Sequence, residues 1–252
     1  MAGFGNRTPK TNKKKITKNG FQLLESAVRA HQTGDIANAE ALYLSAINSG
    51  FHHEIAFSNL GVIYKNTGRK QKALAIYERA VAKNPNFADA YTNLGNLYND
   101  LGNLDQALAS TLKSLELKPD NPIAHMNLGI IYKDLGNLDK ALASTLKSLE
   151  LKPDYPTALM NLGGIYQDLG NLDKALASTL KSLELKPDNL GALSNLFKFY
   201  GEGDLPILKS AAWKAVEHNR GIINNLEYIE ALSSLGEDFA KNIISTTASI
   251  NQ

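Results

Sequence analysis

Along Pro122–Leu151 the apolar positions keep helical time, stop at a glycine, and resume. Leu128, Gly129 and Tyr132 mark one face of a first helix. Leu138, Ala141, Leu142, Thr145, Leu146, Leu149 and Leu151 then fall mostly at the i, i+3, i+4 steps of a second helix. Pro122 suits a first helical residue, which needs no N–H donor. Gly136 suits the left-handed cap that ends a helix. Asn137 is placed to cap the next helix, with Asp139 in its first turn and Pro153 stopping it. The pattern predicts a helical hairpin: helix A from Pro122 to about Leu135 and helix B from there to about Leu151.

The hairpin recurs. LGNLDQALASTLKSLELKPD at Leu101–Asp120 returns almost unchanged at Leu135–Asp154 and Leu169–Asp188, a period of 34 residues. In phase, the repeats occupy 20–53, 54–87, 88–121, 122–155 and 156–189. A fixed period of this size signals stacked supersecondary units, each burying its apolar face against its neighbours. One site in helix A is always small: Ala27, Gly61, Gly95, Gly129 and Gly163. A larger side chain there would push the paired helices apart.

The second repeat carries Leu60, Gly61, Tyr64, Gly68, Ala73, Tyr77, Ala80 and Pro85, and in this it resembles the tetratricopeptide repeat. Repeats three to five keep Leu94, Leu128 and Leu162; Tyr98, Tyr132 and Tyr166; Ala107, Ala141 and Ala175; and Pro119, Pro153 and Pro187. They replace the family's helix B aromatic with Thr111, Thr145 and Thr179, and a helix B alanine with Ser114, Ser148 and Ser182. Those polar residues are expected to loosen the contact between helices A and B. The first repeat is degenerate, with Phe51 in place of the proline. The resemblance implies an all-α, right-handed superhelical solenoid of helix-turn-helix hairpins. After Asn189 the phase decays. Leu193, Leu196 and Tyr200 begin the pattern of a sixth hairpin with Phe197 at the small-residue site, and Pro206 to about Asn219, containing Trp213, is expected to be its second helix. Ile222–Leu235 and Glu237–Ser249 are expected to be one more divergent pair. Residues 190–252 are therefore expected to be a divergent helical C-terminal cap.

Charge and composition narrow the setting. The chain of 252 residues is net +2, yet residues 1–18 hold Arg7, Lys10, Lys13, Lys14, Lys15 and Lys18 and no acid, leaving the remainder at −4. Residues 1–19 have too little apolar surface to order themselves and are expected to be a disordered basic arm, able to touch anionic surfaces by charge. The chain has no cysteine, which excludes disulfides and thiolate metal sites and fits a reducing compartment. No apolar run approaches the roughly 20 residues of a membrane span, and the basic opening residues lack the apolar stretch expected of a secretory signal. A cytoplasmic location is the expectation.

Enzyme signals are missing. His31, His52, His53, His125 and His218 are scattered, and His52-His53-Glu54 lacks the second ligand of a zinc-binding helix. There is no phosphate-binding loop, and Gly201-Glu202-Gly203 is too short to be a dinucleotide loop. Asp100, Asp134 and Asp168, with Asp105, Asp139 and Asp173, flank the glycine turn of each repeat, where turn and capping roles account for them. No catalytic residue, metal or cofactor is expected, and no specific nucleic acid.

Differences among the near-identical repeats point to function. Helix B of repeats three to five differs only at Gln106, Lys140 and Lys174. Helix A differs at many places, and the changes fall largely on one helical stripe. The family resemblance makes that stripe the lining of a concave groove. Asn59, Asn93, Asn127, Asn161 and Asn195 recur at one position, each with an amide that both donates and accepts. This resembles the asparagine ladder of the repeat arm in protein O-GlcNAc transferases and implies a grip on a peptide backbone. Ser58, Val62, Lys65, Thr92, Asn96, Asn99, Met126, Ile130, Lys133, Met160 and Gln167 are then expected to select side chains. The expected function is a non-catalytic scaffold that holds an extended segment of another protein. The near-identical repeats and basic start are also similar to tetratricopeptide proteins of marine cyanobacteria, among which such arrays can precede transferase domains. Two alternatives follow: a substrate-recruiting arm or shortened relative of a transferase, and a self-associating element.

Overall fold

The computed structural model describes residues 9–202, with the side chains of residues 18–196 and of Lys198. All regular structure among them is helical: α1 (Pro9–Gln32), α2 (Ile36–Asn48), α3 (Glu54–Asn66), α4 (Lys70–Lys83), α5 (Ala88–Asp100), α6 (Leu104–Leu117), α7 (Pro122–Asp134), α8 (Leu138–Leu151), α9 (Pro156–Asp168), α10 (Leu172–Leu185) and α11 (Leu190–Glu202). Consecutive odd and even helices from α1 to α10 are the A and B arms of five hairpins, and α11 follows them.

The sequence sets these boundaries through local chemistry. Gly34, Gly68, Gly102, Gly136 and Gly170, at the end of each A helix, have φ between 74° and 81°. At Gly136 the cap closes with Gly136 N–H donating to Lys133 O and Asn137 N–H to Tyr132 O, each 2.8 Å, the double bond pattern that satisfies the last helical carbonyls. Asn137 Oδ1 then accepts from Lys140 N–H at 3.1 Å and starts α8, and Asn171 repeats this with Lys174 N–H at 3.2 Å.

The described residues form two compact units that divide between Asp120 and Asn121. In the first, α1–α6 bury Tyr43, Ile47, Phe57, Leu60, Tyr77 and Leu97 almost completely. In the second, α7–α11 do the same with Ile131, Ile165, Leu193 and Leu196. Burying each such side chain fully is worth about 1.5–3 kcal/mol. Within each unit, each A helix packs on its own B helix, and each B helix meets the next A helix. The A helices also touch one another, α3 with α5 in the first unit and α7 with α9 with α11 in the second. Each unit thus presents a wall of A helices.

Two expectations need correcting. The threonines and serines of helix B do not loosen the hairpin. Thr111, Thr145, Thr179, Ser114, Ser148 and Ser182 are all fully buried. A threonine is so much smaller than an aromatic ring that helix A settles onto helix B: a Cβ built on Gly129 would lie 2.2 Å from Thr145 Oγ1 and 3.2 Å from the Ala141 carbonyl oxygen. The serines bond across the hairpin, Ser148 Oγ to Pro122 O at 2.7 Å and Ser182 Oγ to Pro156 O at 2.8 Å. At the other end, residues 9–19, expected to be irregular, belong to α1. Pro9 sits at its first position, no glycine or proline interrupts it before Gly20, and extending an existing helix is far easier than nucleating one.

At the C-terminal end α11 supplies the first helix of the expected sixth hairpin, with Leu193 and Leu196 buried. The segments expected from Pro206 onward, Trp213 among them, lie outside the described residues. No helix among the described residues is long and apolar enough to cross a membrane.

Candidate functional site

The A-helix wall of the first unit is built by α3 and α5. Lys65, on the last turn of α3, reaches the next hairpin. Its ammonium donates to Asn96 Oδ1 and pairs with Asp100 Oδ2 at 2.8 Å. Lysine and aspartate are each about one-third exposed, so the pair is a solvated one, worth at most about 1 kcal/mol. Asn59 turns toward its own chain: its amide nitrogen donates to the Tyr43 hydroxyl at 2.8 Å. Asn93, Asn99 and Ser58 are half-buried, and Val62 is exposed. Thr92 is buried and shares a 2.6 Å bond with Ser114, so it has no surface with which to select a ligand.

The wall of the second unit is built by α7, α9 and α11. Lys133 repeats the geometry of Lys65, pairing with Asp168 Oδ2 at 3.1 Å. Asn195 donates its amide to Met160 O at 3.0 Å, tying α11 to α9. Ile130, Gln167, Asn161 and Met160 are half-buried. The sulfur of Met160 lies over Gly191, where a Cβ would come within 2.2 Å of it. The Asn161 amide nitrogen is buried with no hydrogen-bond partner among the described residues.

The structure therefore divides the expected contact residues. Lys65, Asn93, Asn96 and Asn99 share one wall; Ile130, Lys133, Met160 and Gln167 share the other. Met126 and Asn127 do not belong with them: they are 6% and 3% exposed, and buried side chains offer nothing for a bound chain to touch. The asparagine ladder is likewise corrected in part. Asn59 and Asn195 spend a donor inside the chain, because Tyr43 on α2 and Met160 on α9 offer acceptors within reach. Each still has a second N–H and a carbonyl oxygen.

The structure adds two partners to which the sequence pattern assigns other roles. Asp100 and Asp168, expected to be turn residues, hold the wall lysines. The available signal was a lysine followed 35 residues later by an aspartate, one more than the period. His53, whose pattern argues only against a zinc-binding helix, caps α3 through Nδ1, which accepts from Ile55 N–H at 3.3 Å. Burial, with Lys83 and Arg79 nearby, holds the His52 imidazole below its ordinary pKa. No group of three metal-ligating side chains occurs among the described residues.

Comparison with known proteins agrees with this architecture. No curated protein sequence matches the chain, and no named relative ties it to cyanobacteria. Solved structures do match. TTC0263, a thermophilic protein of this repeat class from Thermus thermophilus, is 28% identical, with a TM-score of 0.58 over 69% of this chain and 94% of that one. YrrB, described as having an unusual peptide-binding site, is 24% identical with a TM-score of 0.54, over 72% of this chain and 95% of that one. MamA is 22% identical with a TM-score of 0.56, over 67% and 92%. The last two likenesses speak for the fold alone. Sequence patterns of the family match residues 55–87, 76–109, 95–136, 122–155 and 156–189. They run without a gap over more than half of the 252 residues, and the chain belongs to the tetratricopeptide-repeat family.

Proposed function

We propose that this protein is a non-catalytic scaffold whose A-helix walls hold an extended segment of another protein. One observation carries this reading. The positions at which nearly identical repeats differ gather on the walls, as Asn96 against Ile130 and Asn99 against Lys133 and Gln167, while most of helix B stays constant. These side chains are half-buried, open enough to touch a ligand and held enough to be specific. Hydrogen bonds of this kind contribute about 0.5–1.5 kcal/mol each, so an extended partner that engages several at once suits them.

The test is selection of random displayed peptides against the full chain, followed by affinity measurement with each selected peptide. Asn93→Ala and Ile130→Asp are expected to weaken binding without changing the helical circular dichroism. Failure to enrich any peptide, or affinities indifferent to both substitutions, would remove the walls from the function.

A further inference from the structure

Repeats three and five differ at one wall position in a way that changes what the neighbouring lysine holds. In the first unit Asn96 stands beside Lys65 and gives its ammonium a carbonyl oxygen in addition to the Asp100 carboxylate. In the second unit the same position is Gly164. Lys133 keeps its carboxylate, Asp168, but position 164 supplies no amide oxygen, and the end of Lys133 itself lies over the glycine.

The surroundings of that place are chemically one-sided. A Cβ built on Gly164 would have two side-chain neighbours within 4 Å, Lys133 Nζ at 3.0 Å and Asn195 Nδ2 at 3.8 Å. Both are nitrogens and both are donors. The Asn195 amide gives one hydrogen to Met160 O and has another to give. An ammonium has three hydrogens, and one carboxylate does not exhaust them. Gly164 itself is buried beneath the lysine arm, which is 35% exposed. An oxygen entering from the solvent side has only to lift the flexible end of Lys133.

We infer that the space over Gly164, covered in the free chain by the movable end of Lys133, is a seat for an amide carbonyl oxygen of the bound segment, received between the Lys133 ammonium and the Asn195 amide nitrogen. Asn96 beside Lys65 is the template: the chain fills this seat itself in repeat three and leaves it for a ligand in repeat five. A neutral carbonyl suits the seat better than a carboxylate, because Asp168 already balances the lysine charge. The inference rests on the proposed peptide-binding role and narrows it to one contact.

Gly164→Asn rebuilds the Lys65–Asn96 arrangement within the second unit. The substitution replaces a mid-helix glycine, whose helix propensity is the lowest of any residue but proline, and its Cβ meets only flexible side-chain ends. The variant is therefore expected to melt at or above the wild-type temperature. With a peptide obtained by display selection on the full chain, it should bind about ten- to a hundredfold more weakly, the loss of a hydrogen bond to a charged donor. Lys133→Met should weaken the same peptide comparably. Replacing each Asn and Gln of the peptide by Ala identifies the source: loss at one of them assigns a side-chain amide, and retained affinity assigns a main-chain carbonyl. Peptides that bind Gly164→Asn as tightly as wild type would overturn the seat while leaving the scaffold role standing. Should selection yield no peptide, the scaffold role fails, and titration with N-methylacetamide by NMR decides the seat. A saturable shift of the Gly164 amide that Lys133→Met abolishes supports it; no shift overturns it.

Discussion

Two glycines one residue apart in α9, Gly163 and Gly164, are small for opposite reasons, and Gly129 in α7 shares the environment of the first. At Gly129 a Cβ would meet Thr145 Oγ1 at 2.2 Å and the Ala141 carbonyl oxygen at 3.2 Å. The hydroxyl belongs to a fully buried side chain and the carbonyl to the backbone, so neither moves cheaply. At Gly164 the nearest atom is the mobile Lys133 Nζ. Helix propensity alone would make glycine-to-alanine stabilising by about 1 kcal/mol at any interior site. Packing reverses the sign at one of them. Gly129→Ala is expected to destabilise by about 1–3 kcal/mol through overpacking, while Gly164→Ala should gain about 0.5–1 kcal/mol; urea midpoints of the two variants check both. Adding Thr145→Ala to Gly129→Ala should cost less than the two changes summed, because the threonine oxygen is the closer obstacle. The sequence showed that a small residue was needed at Gly129, since the site is small in all five repeats. It did not show that Gly164 differs in kind, because nothing in a spacing pattern says which atoms face a helix from the hairpin beside it.

At the scale of the helix, hairpins are joined by ties that recur imperfectly. The most complete links α2 to the start of α4. Arg69, the residue before α4, makes two bonds to the Glu40 carboxylate, 2.8 Å through Nη1 and 2.7 Å through Nη2, and lies 4.7 Å from the centre of the Tyr64 ring. The Arg69 hydrogen bonds hold the Glu40 carboxyl below the ordinary glutamate value, against a smaller opposing effect of burial. The sign follows from linkage. A carboxyl more acidic in the folded state stabilises the fold above its unfolded pKa, and that contribution disappears as pH falls through the folded one. Glu40→Gln should leave an acid unfolding profile that is flatter at and below the ordinary glutamate pKa, read as the urea midpoint against pH. An unchanged acid limb would mean that the pair does not contribute to folding. Helix boundaries are legible in the sequence because glycine, proline and asparagine mark them locally: α7 ends at Asp134 and α8 at Leu151, against expectations of about Leu135 and Leu151. The start of α1 is not legible in the same way, since a lysine-rich stretch forms no core of its own and its helix is continued from the residues that follow it.

Across the whole molecule, the fold could be read because the hairpin pattern itself returns every 34 residues. The candidate site could be read only in outline, because side chains on the wall choose between a ligand and their own neighbours. Asn59 and Asn195 chose neighbours; Lys65 took Asn96; Lys133, facing a glycine, did not have that choice. The same neighbour-to-neighbour logic governs stability. Within each unit helices pack on those of their own hairpin and of the adjoining ones, so stability there is a sum of local terms and opening need not be global. Gly163→Leu places a branched side chain where even a Cβ would lie 2.3 Å from Thr179 Oγ1 and 3.1 Å from Ala175 O, which should force α9 from α10. Hydrogen exchange of this variant is expected to show α9 and α10 exchanging much faster while the amides of α3 and α4, three hairpins earlier, keep their protection. Equal loss of protection in α3 and α4 would instead mean that the repeats unfold as one cooperative body, and that a ligand bound on one wall is felt throughout the chain.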